Sequence, residues 1–233
     1  PRKETSTGPG HKDQVTKSDH TLSVESDLSR RDCTFNAIAK DVETGKFIDP
    51  HHGISDIKHK IIRAVGDPDK RFEEDPLRIL RAIQFAVRFN FDIEEKTKKS
   101  ILKNIDSLEH LPAERFLEEF KKAIEKSKDS NNMKFLNLLL ETGIGKLLFG
   151  EEFDPIEIHS KNFIVNMIAM FINGGNYKKL KLPNEEVAIL ELAKKLNSDI
   201  KDPWNVVKDK KEYVKIIQEF MKLTKNKNLK LVN

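Results

Sequence analysis

The chain has 233 residues with 42 Lys and Arg against 38 Asp and Glu, so its formal net charge is +4. A hydrophobic fraction of 37% can build a core, which excludes collagen-like and low-complexity classes and disfavours wholesale disorder. One cysteine, Cys33, excludes an intramolecular disulfide and any zinc site that needs several cysteines. Neither a run of roughly 20 apolar residues nor a secretory signal is present, so a cytoplasmic protein without a membrane partner is expected.

Short strands and helices are predicted in the first part of the chain. Residues 1–20 have no hydrophobic periodicity and many Ser, Thr, Gly and Lys residues, which predicts a loop or a disordered segment. Residues 37–49 contain two short segments with the composition of β-strands, separated by the turn sequence Glu43-Thr44-Gly45, which predicts a β-hairpin. Ser55 is a candidate N-cap for a helix that includes Ile61 and Ile62.

From Glu73 onward the apolar spacing is helical nearly to the end of the chain. Pro76 suits the first turn of a helix whose apolar face runs from Leu77 to Val87. Further helices are predicted around residues 94–105, 113–126, 131–141, 156–173, 185–197 and 204–224. Trp204 is predicted to anchor the core. Lysines near the end of the chain either follow RNA phosphates or cover a solvated helix end. These lysines are Lys222, Lys225, Lys227 and Lys230.

Every arginine lies at or before Arg115, and lysine supplies the positive charge after it. Arginine offers a planar fork of donors that matches carboxylates and phosphates, which lysine does not. The concentration of arginines in the first half of the chain favours a functional role for their guanidinium groups, although salt bridges on helix surfaces would also explain it. The arginines concerned are Arg30, Arg31, Arg63, Arg71, Arg78, Arg81 and Arg88.

Glu74, Asp75 and Arg78 place acceptors beside a donor fork on one face of the predicted helix, and Arg81 continues this face. Cytosine and adenine share an edge with an amino donor beside a ring-nitrogen acceptor, so a carboxylate and a guanidinium can read both bases. Guanine and uracil present the opposite polarity. Taken alone, an ordinary exposed ion pair explains the spacing more simply.

A second cluster, Arg30-Arg31-Asp32 followed by Asn36, offers phosphate donors beside groups that can hold a ribose hydroxyl. Taken alone, a helix terminus with a capping Asp explains it more simply. Cys33 is expected to pack in the interior, since no basic partner would activate its thiolate. The His51-His52 pair is expected in a turn, because no further ligands stand at metal-binding spacing.

Together, the two clusters resemble the class II nucleotidyltransferases, which include the bacterial-type tRNA CCA-adding enzymes and their poly(A) polymerase relatives. The resemblance covers residues 28–91, from RRDCTFNAIAKD through GKFIDPHHGISDIKHKIIRAVGDPDKRFEEDPLRILRAIQFAVRF, and continues more weakly in LPAERFLEEFKKAI. It implies a mainly α chain. Residues 1–66 would be the C-terminal part of an α/β nucleotidyltransferase head, 67–128 a helical neck or RNA-binding domain, and 129–233 a helical body and tail.

The resemblance also implies roles for individual residues. The implied nucleotide-binding residues are Arg31, Asp32, Asn36, Glu74, Asp75, Arg78 and Arg81. The first three would contact the sugar and phosphates of the nucleotide, the next three would select CTP or ATP, and the last is a further nucleotide contact. Gln84 stands where many members carry another arginine, so a phosphate contact there is in question.

Family heads also carry a glycine-rich phosphate loop and carboxylates that bind Mg²⁺, and this chain matches none of them. The resemblance implies Mg²⁺ held by carboxylates expected upstream of Pro1, and a chain that is inactive by itself. The complete protein is expected to add C and A residues to the tRNA 3′ acceptor end from CTP and ATP. Two alternatives stay open: a poly(A) polymerase or A-adding enzyme, and a non-catalytic tRNA- or RNA-binding protein. The sequence indicates no oligomeric state.

Overall fold

The computed structural model describes residues 2–6, 14–18, 23–127, 132–158, 160–197 and 211–224. Over these ranges the chain is mainly helical with a few short strands, which confirms the predicted fold class. It divides into two compact units, Pro1–Glu119 and Phe120–Asn233. No helix within the described ranges is long and apolar enough to cross a membrane. Trp204, Lys225, Lys227 and Lys230 lie outside them.

The first unit contains all the strands that the structure describes. Its elements are β1 (Arg2–Ser6), β2 (Gln14–Ser18), α1 (Val24–Ser29), a 3₁₀ helix (Thr34–Asn36), β3 (Ala39–Lys40), β4 (Phe47–Ile48), α2 (Gly53–His59), β5 (Ile61–Ile62), α3 (Pro68–Glu74), α4 (Leu77–Phe89), β6 (Asp92–Ile93), α5 (Glu95–Asn104) and a 3₁₀ helix (Ile105–His110). Helix α6 (Ala113–Glu125) follows them. β1 pairs antiparallel with β2, β3 antiparallel with β4, and β5 parallel with β6.

The prediction that residues 1–20 are a loop or disordered is wrong for β1 and β2. These strands pair in register from Arg2 opposite Ser18 to Ser6 opposite Gln14. Backbone pairing between strands orders them without any hydrophobic period in the sequence. The predicted hairpin at 37–49 is confirmed, with strands of two residues each.

Helix α2 begins at Gly53 rather than after Ser55. The carboxylate of Asp49 accepts hydrogen bonds from the N–H groups of Gly53 and Ile54 at 2.7 and 2.9 Å and so caps the helix earlier. The helix ends at His59, and the left-handed φ of 59° at the next residue, Lys60, turns the chain away. The two isoleucines expected in this helix therefore form β5 instead, paired with β6.

The helix predicted from Glu73 onward is two helices. Helix α3 ends at Glu74, Asp75 is extended (φ −154°, ψ 100°), and α4 begins after Pro76. Proline disfavours helical geometry in the residue before it, and it lacks the N–H that a helix interior needs. The apolar face predicted for α4 is confirmed, since Leu77 and Val87 at its two ends are buried. Other buried residues of this core are Ile62, Phe72, Ile79, Leu80, Ile83, Ile101 and Leu108.

The second unit is helical wherever the structure describes it. Its further elements are α7 (Asn132–Glu141), α8 (Ile144–Phe149), α9 (Phe163–Phe171), a 3₁₀ helix (Tyr177–Leu180), α10 (Asn184–Asn197) and α11 (Lys211–Thr224). The helix predicted at 156–173 begins only at Phe163, because the Asn162 side chain accepts from the N–H groups of Ile164 and Val165 and caps it there. Its core includes Phe120, Leu139, Phe149, Phe171, Ile189, Ile217 and Phe220.

Candidate functional site

Asp32 lies between α1 and the first 3₁₀ helix, and its side chain is buried. Oδ1 accepts hydrogen bonds from the Cys33 backbone N–H at 2.9 Å and from the Asn36 amide. Oδ2 accepts one from Arg81 Nε at 2.5 Å. Burial alone would raise the pKa of Asp32, but the charge of Arg81 and these hydrogen bonds hold that pKa below its ordinary value. Asp32 is therefore ionised at neutral pH and fixes Arg81.

Arg81 reaches Asp32 from α4 and keeps 34% of its side chain exposed. Its Nη1 also lies 4.0 Å from Glu119 Oε1, and its guanidinium carbon lies 5.2 Å from the centre of the Phe85 ring. Burial lowers the pKa of Arg81, but Asp32 and Glu119 raise it more, so the net shift is upward. The guanidinium is thus held in one place by its neighbours while part of it stays within reach of an anion.

Glu74 and Arg78 form the ion pair that their spacing predicts, with Arg78 Nη1 2.7 Å from Glu74 Oε2. The pair joins two helices, since Glu74 ends α3 and Arg78 lies in the first turn of α4. Arg71 donates to the same carboxylate oxygen at 2.7 Å, and its backbone carbonyl accepts from Arg78 Nη1 at 3.1 Å. The buried guanidinium of Arg78 is therefore positioned by α3.

Asp75 occupies the extended position between these helices and is buried. Its Oδ1 accepts from the Leu77 N–H at 3.1 Å, and its carbonyl accepts from the Arg78 N–H at 3.0 Å. The carboxylate therefore caps α4. The prediction that Glu74, Asp75 and Arg78 lie on one face of a single helix is wrong, because Asp75 is extended between α3 and α4. Asp75 and Arg78 still share a backbone hydrogen bond, and the side chains of both make contacts within the protein.

The backbone of Arg30 and Arg31 connects the two predicted clusters. Arg71 Nη2 donates to the Arg31 carbonyl at 3.3 Å, and Arg78 Nη2 donates to the Arg30 carbonyl at 3.5 Å. The Arg31 side chain pairs with Asp27 at 2.9 Å and is 49% exposed. Arg71 contacts both clusters but is not one of the predicted site residues. The only indication of its role in the sequence is its position in the first half of the chain, where the arginines are concentrated.

Asn36 and Gln84 each bury a polar atom. Asn36 Oδ1 and Gln84 Nε2 have no hydrogen-bond partner in the described part of the chain. Gln84 is an interior residue of α4 and does not stand on the surface as a phosphate ligand would. Cys33 is buried as predicted. Burial and the charge of Asp32 raise the pKa of its thiol well above the ordinary value, which favours the neutral thiol.

The described residues do not fit a magnesium ion. No group of three or more His, Cys, Asp or Glu side chains among them could hold a metal. What they offer is two partly exposed guanidinium groups, Arg31 and Arg81, and a buried set of donors and acceptors at Glu74, Asp75 and Arg78. Guanidinium groups bind phosphates, and a fixed donor beside an acceptor can read the edge of a planar base.

Comparisons with known proteins agree with this arrangement of a small α/β part and helices. Residues 2–63 match the family described as "Poly A polymerase head domain", and residues 90–156 match "Probable RNA and SrmB- binding site of polymerase A". A CCA-adding enzyme of Geobacillus sp. strain WCH70 is 47% identical over 122 residues, which is 52% of this chain and 29% of that protein.

Solved structures are similar as well. The CCA-adding enzyme of Bacillus stearothermophilus in complex with CTP is 26% identical, with a TM-score of 0.65 over 86% of this chain and 56% of that one. The Thermotoga maritima CCA-adding enzyme complexed with tRNA is 20% identical, with a TM-score of 0.66 over 94% of this chain and 65% of that one, and it shares the fold.

Over residues 2–63 and 90–156 the chain therefore resembles the head and RNA-binding domains of poly(A) polymerases, and the relatives to which it is similar are CCA-adding enzymes. It spans less than a third of the length of the curated relatives that it matches.

Proposed function

We propose that this chain is part of a template-independent tRNA nucleotidyltransferase that adds C and A residues to tRNA 3′ ends from CTP and ATP. The observation that carries the proposal is that Arg71 and Arg78 donate to the backbone of Arg31 and Arg30, which joins the two predicted nucleotide-binding clusters. The names of the relatives support tRNA and CTP as partners. A cytoplasmic location, where tRNA is processed, is part of the same proposal.

In this proposal the exposed guanidinium groups of Arg31 and Arg81 hold the triphosphate of the nucleotide. Asp32 keeps Arg81 in position. Asn36 Oδ1 is a buried acceptor that has no partner among the described residues, and the proposal assigns it to a ribose hydroxyl. These groups bind and orient the nucleotide, which is most of what a protein contributes to this reaction class.

Glu74, Asp75 and Arg78 are assigned the choice of base. The guanidinium of Arg78 would donate to the ring nitrogen of cytosine or adenine, and a carboxylate would accept from the exocyclic amino group. The Glu74 side chain is half exposed whereas Arg78 is buried, so in this proposal the base approaches from the Glu74 side and replaces the Glu74 contact of Arg78. Guanine and uracil would place a ring N–H against the Arg78 donors and a keto oxygen against the carboxylate, and both mismatches disfavour binding.

Mg²⁺ belongs to the proposal as the ion that two-metal nucleotidyl transfer requires, held by carboxylates outside the described residues. We therefore expect the 233-residue chain to add no nucleotide by itself.

The test uses the native gene product that contains this sequence. It is given tRNA ending at the discriminator base, Mg²⁺, and each nucleoside triphosphate separately and in pairs. Addition of C followed by A, and then a stop, is the expected result. No addition of any nucleotide, with tRNA still bound, would refute the enzymatic proposal and identify an RNA-binding protein.

A poly(A) polymerase or A-adding enzyme is the second candidate, favoured by the head-domain match to the poly(A) polymerase family. It shares the same predicted base-selecting residues. Incorporation of ATP without any incorporation of CTP in the same assay would identify it.

A further inference from the structure

A cavity of about 310 Å³ in the first unit lies outside the predicted nucleotide site. The turn before α2, the segment after β5 and the start of α5 line it, and none of the seven predicted nucleotide-binding residues does. The lining side chains that can bind a charged ligand are His51, His52, Arg63, Glu94 and Lys96.

Arg63 is fixed in this cavity from two sides. Its Nε lies 3.0 Å from Asp56 Oδ2, and its Nη1 donates to Glu94 Oε1 at 3.0 Å. These contacts, with the charge of both carboxylates, raise the pKa of Arg63 above its ordinary value despite partial burial. Nη2 also donates to Asp56 Oδ1 at 3.3 Å, but 43% of the side chain is exposed, and one N–H on each terminal nitrogen is left over for a ligand. An immobilised fork loses little entropy when it binds an anion.

The carboxylates around Arg63 are already satisfied by the protein. Asp56 Oδ2 also accepts from the Thr34 hydroxyl at 2.6 Å. Glu94 Oε2 accepts from the Thr97 N–H and hydroxyl at 2.7 and 2.8 Å. Because their oxygens are occupied, these groups are poor ligands for a cation, and they serve to hold Arg63.

Lys96 stands on the first turn of α5 and lines the same cavity. It is exposed and has no ion-pair partner in the part of the chain that the structure describes. Arg63 and Lys96 together balance the charges of Glu94 and of Asp56 behind it, so the ammonium of Lys96 is the positive group that the carboxylates around Arg63 do not neutralise by direct contact. An anion would therefore gain a free ammonium group and a fixed guanidinium together.

His51 and His52 also line the cavity. His51 Nε2 lies 3.0 Å from the Ser29 hydroxyl, and His52 is held in the left-handed region at φ 59°. The next residue, Gly53, packs so tightly that a Cβ there would lie 2.0 Å from the Thr34 carbonyl oxygen. The turn is thus locked. A non-glycine residue held at positive φ is a strained feature of the kind that accumulates at ligand sites.

We propose that this cavity binds a phosphate group. A forked guanidinium, an unpaired ammonium and two imidazoles match phosphate oxygens, and the volume also accommodates the neighbouring part of a phosphate ester. The phosphate can come from free pyrophosphate or a nucleotide, or from the backbone of RNA. Binding here is independent of nucleotide addition, so failure of the incorporation assay would leave this proposal unaffected.

The test follows the histidine ring signals of the isotopically labelled 233-residue chain during titration with pyrophosphate and, separately, with a short single-stranded RNA. Saturable shifts of His51 and His52, with His59 unchanged, are expected. Saturation by pyrophosphate alone identifies a small-molecule ligand, and saturation by the RNA identifies a backbone phosphate. Absence of saturable shifts with both probes, or equal shifts of His59, would overturn the proposal.

Two variants separate the site from general electrostatics. Lys96→Gln should weaken binding about threefold, the scale of an exposed charged contact, while Lys99→Gln on the same helix should not change it. Arg63→Lys keeps the charge but loses the fork, and about tenfold weaker binding is expected. A thermal unfolding curve shows whether Arg63→Lys remains folded. If it does not, the comparison of Lys96→Gln with Lys99→Gln alone tests whether phosphate binds specifically in this cavity. Equal losses from Lys96→Gln and Lys99→Gln would contradict a specific site.

Discussion

Replacement of Asp32 by Asn should destabilise the first unit through Arg81. The substitution preserves shape and leaves an acceptor for the Cys33 N–H, but it removes the charge that Arg81 Nε contacts at 2.5 Å. It also turns an amide donor toward a guanidinium donor when the Asn side chain keeps its Cys33 contact. The stability lost in this variant is therefore that of the ion pair between Asp32, in the segment after α1, and Arg81 on α4.

The expected loss is about 2 kcal/mol. Removing one partner of a fully buried ion pair costs about 3 to 5 kcal/mol. Arg81 is one-third exposed, so water stabilises the charge left behind and the cost is reduced. For a chain of this size about 2 kcal/mol corresponds to a fall of roughly 4 to 8 °C in melting temperature.

Urea unfolding followed by far-UV circular dichroism measures this loss, and amide exchange over residues 77–89 assigns it to α4. The folded-state pKa of Asp32 lies below its unfolded value, so its contribution is present above pH about 3.9 and is lost as pH falls through the folded-state pKa. The difference between wild type and Asp32→Asn should therefore shrink in acid. Glu95→Gln, which removes a pair between exposed side chains, is the control and should leave stability nearly unchanged.

A double-mutant cycle with Arg81→Met isolates the pair itself, and we expect a coupling of about 1 to 2 kcal/mol. A coupling near zero, or a pH-independent difference between wild type and Asp32→Asn, would show that Asp32 does not hold Arg81 in solution.

Three further outcomes are expected. In the complete enzyme Arg78→Ala should relax the choice of nucleotide and lower turnover, whereas Arg88→Ala, later on α4, should do neither; wild-type CTP and ATP selectivity in Arg78→Ala would disprove the assignment of base selection. His52→Gly should stabilise the chain by about 0.5 kcal/mol in urea unfolding, since glycine adopts φ 59° without strain, and a loss would show that the imidazole is needed for folding. Burial and its hydrogen bond to Glu191 raise the pKa of Tyr177 to about 12, so in a Tyr213→Phe background its ultraviolet absorbance should titrate near that pH, and the stability it contributes should fall as pH rises toward 12.

Local sequence patterns predicted the parts of the fold that depend on neighbouring residues. The apolar face of α4 and the hairpin at residues 37–49 follow from spacing alone. The parallel pairing of β5 with β6 does not, because two-residue strands about 30 positions apart have no periodic signal. The boundary at Asp75 did have a signal in Pro76, but the regular apolar spacing on both sides masked it.

For the candidate site the sequence indicated residue types and one contact. The ion pair of Glu74 with Arg78 follows from their spacing, even though a helix break separates them. The contact of Asp32 with Arg81 joins positions 49 residues apart, and the contact of Arg71 with the Arg31 carbonyl joins positions 40 apart. Such contacts depend on tertiary packing and could not be derived from one sequence. Whether these residues bind a nucleotide stays a prediction.

The contacts that Arg71 and Arg78 make with the carbonyls of Arg31 and Arg30 affect which substitutions the protein can tolerate. Every amino acid supplies a backbone carbonyl, so replacement of either side chain leaves the acceptors of Arg71 and Arg78 in place. The main chain at positions 30 and 31 therefore helps to hold α3 and α4 whichever side chains stand there. A substitution of the Arg31 side chain can for this reason test its proposed phosphate contact without removing the acceptor of Arg71.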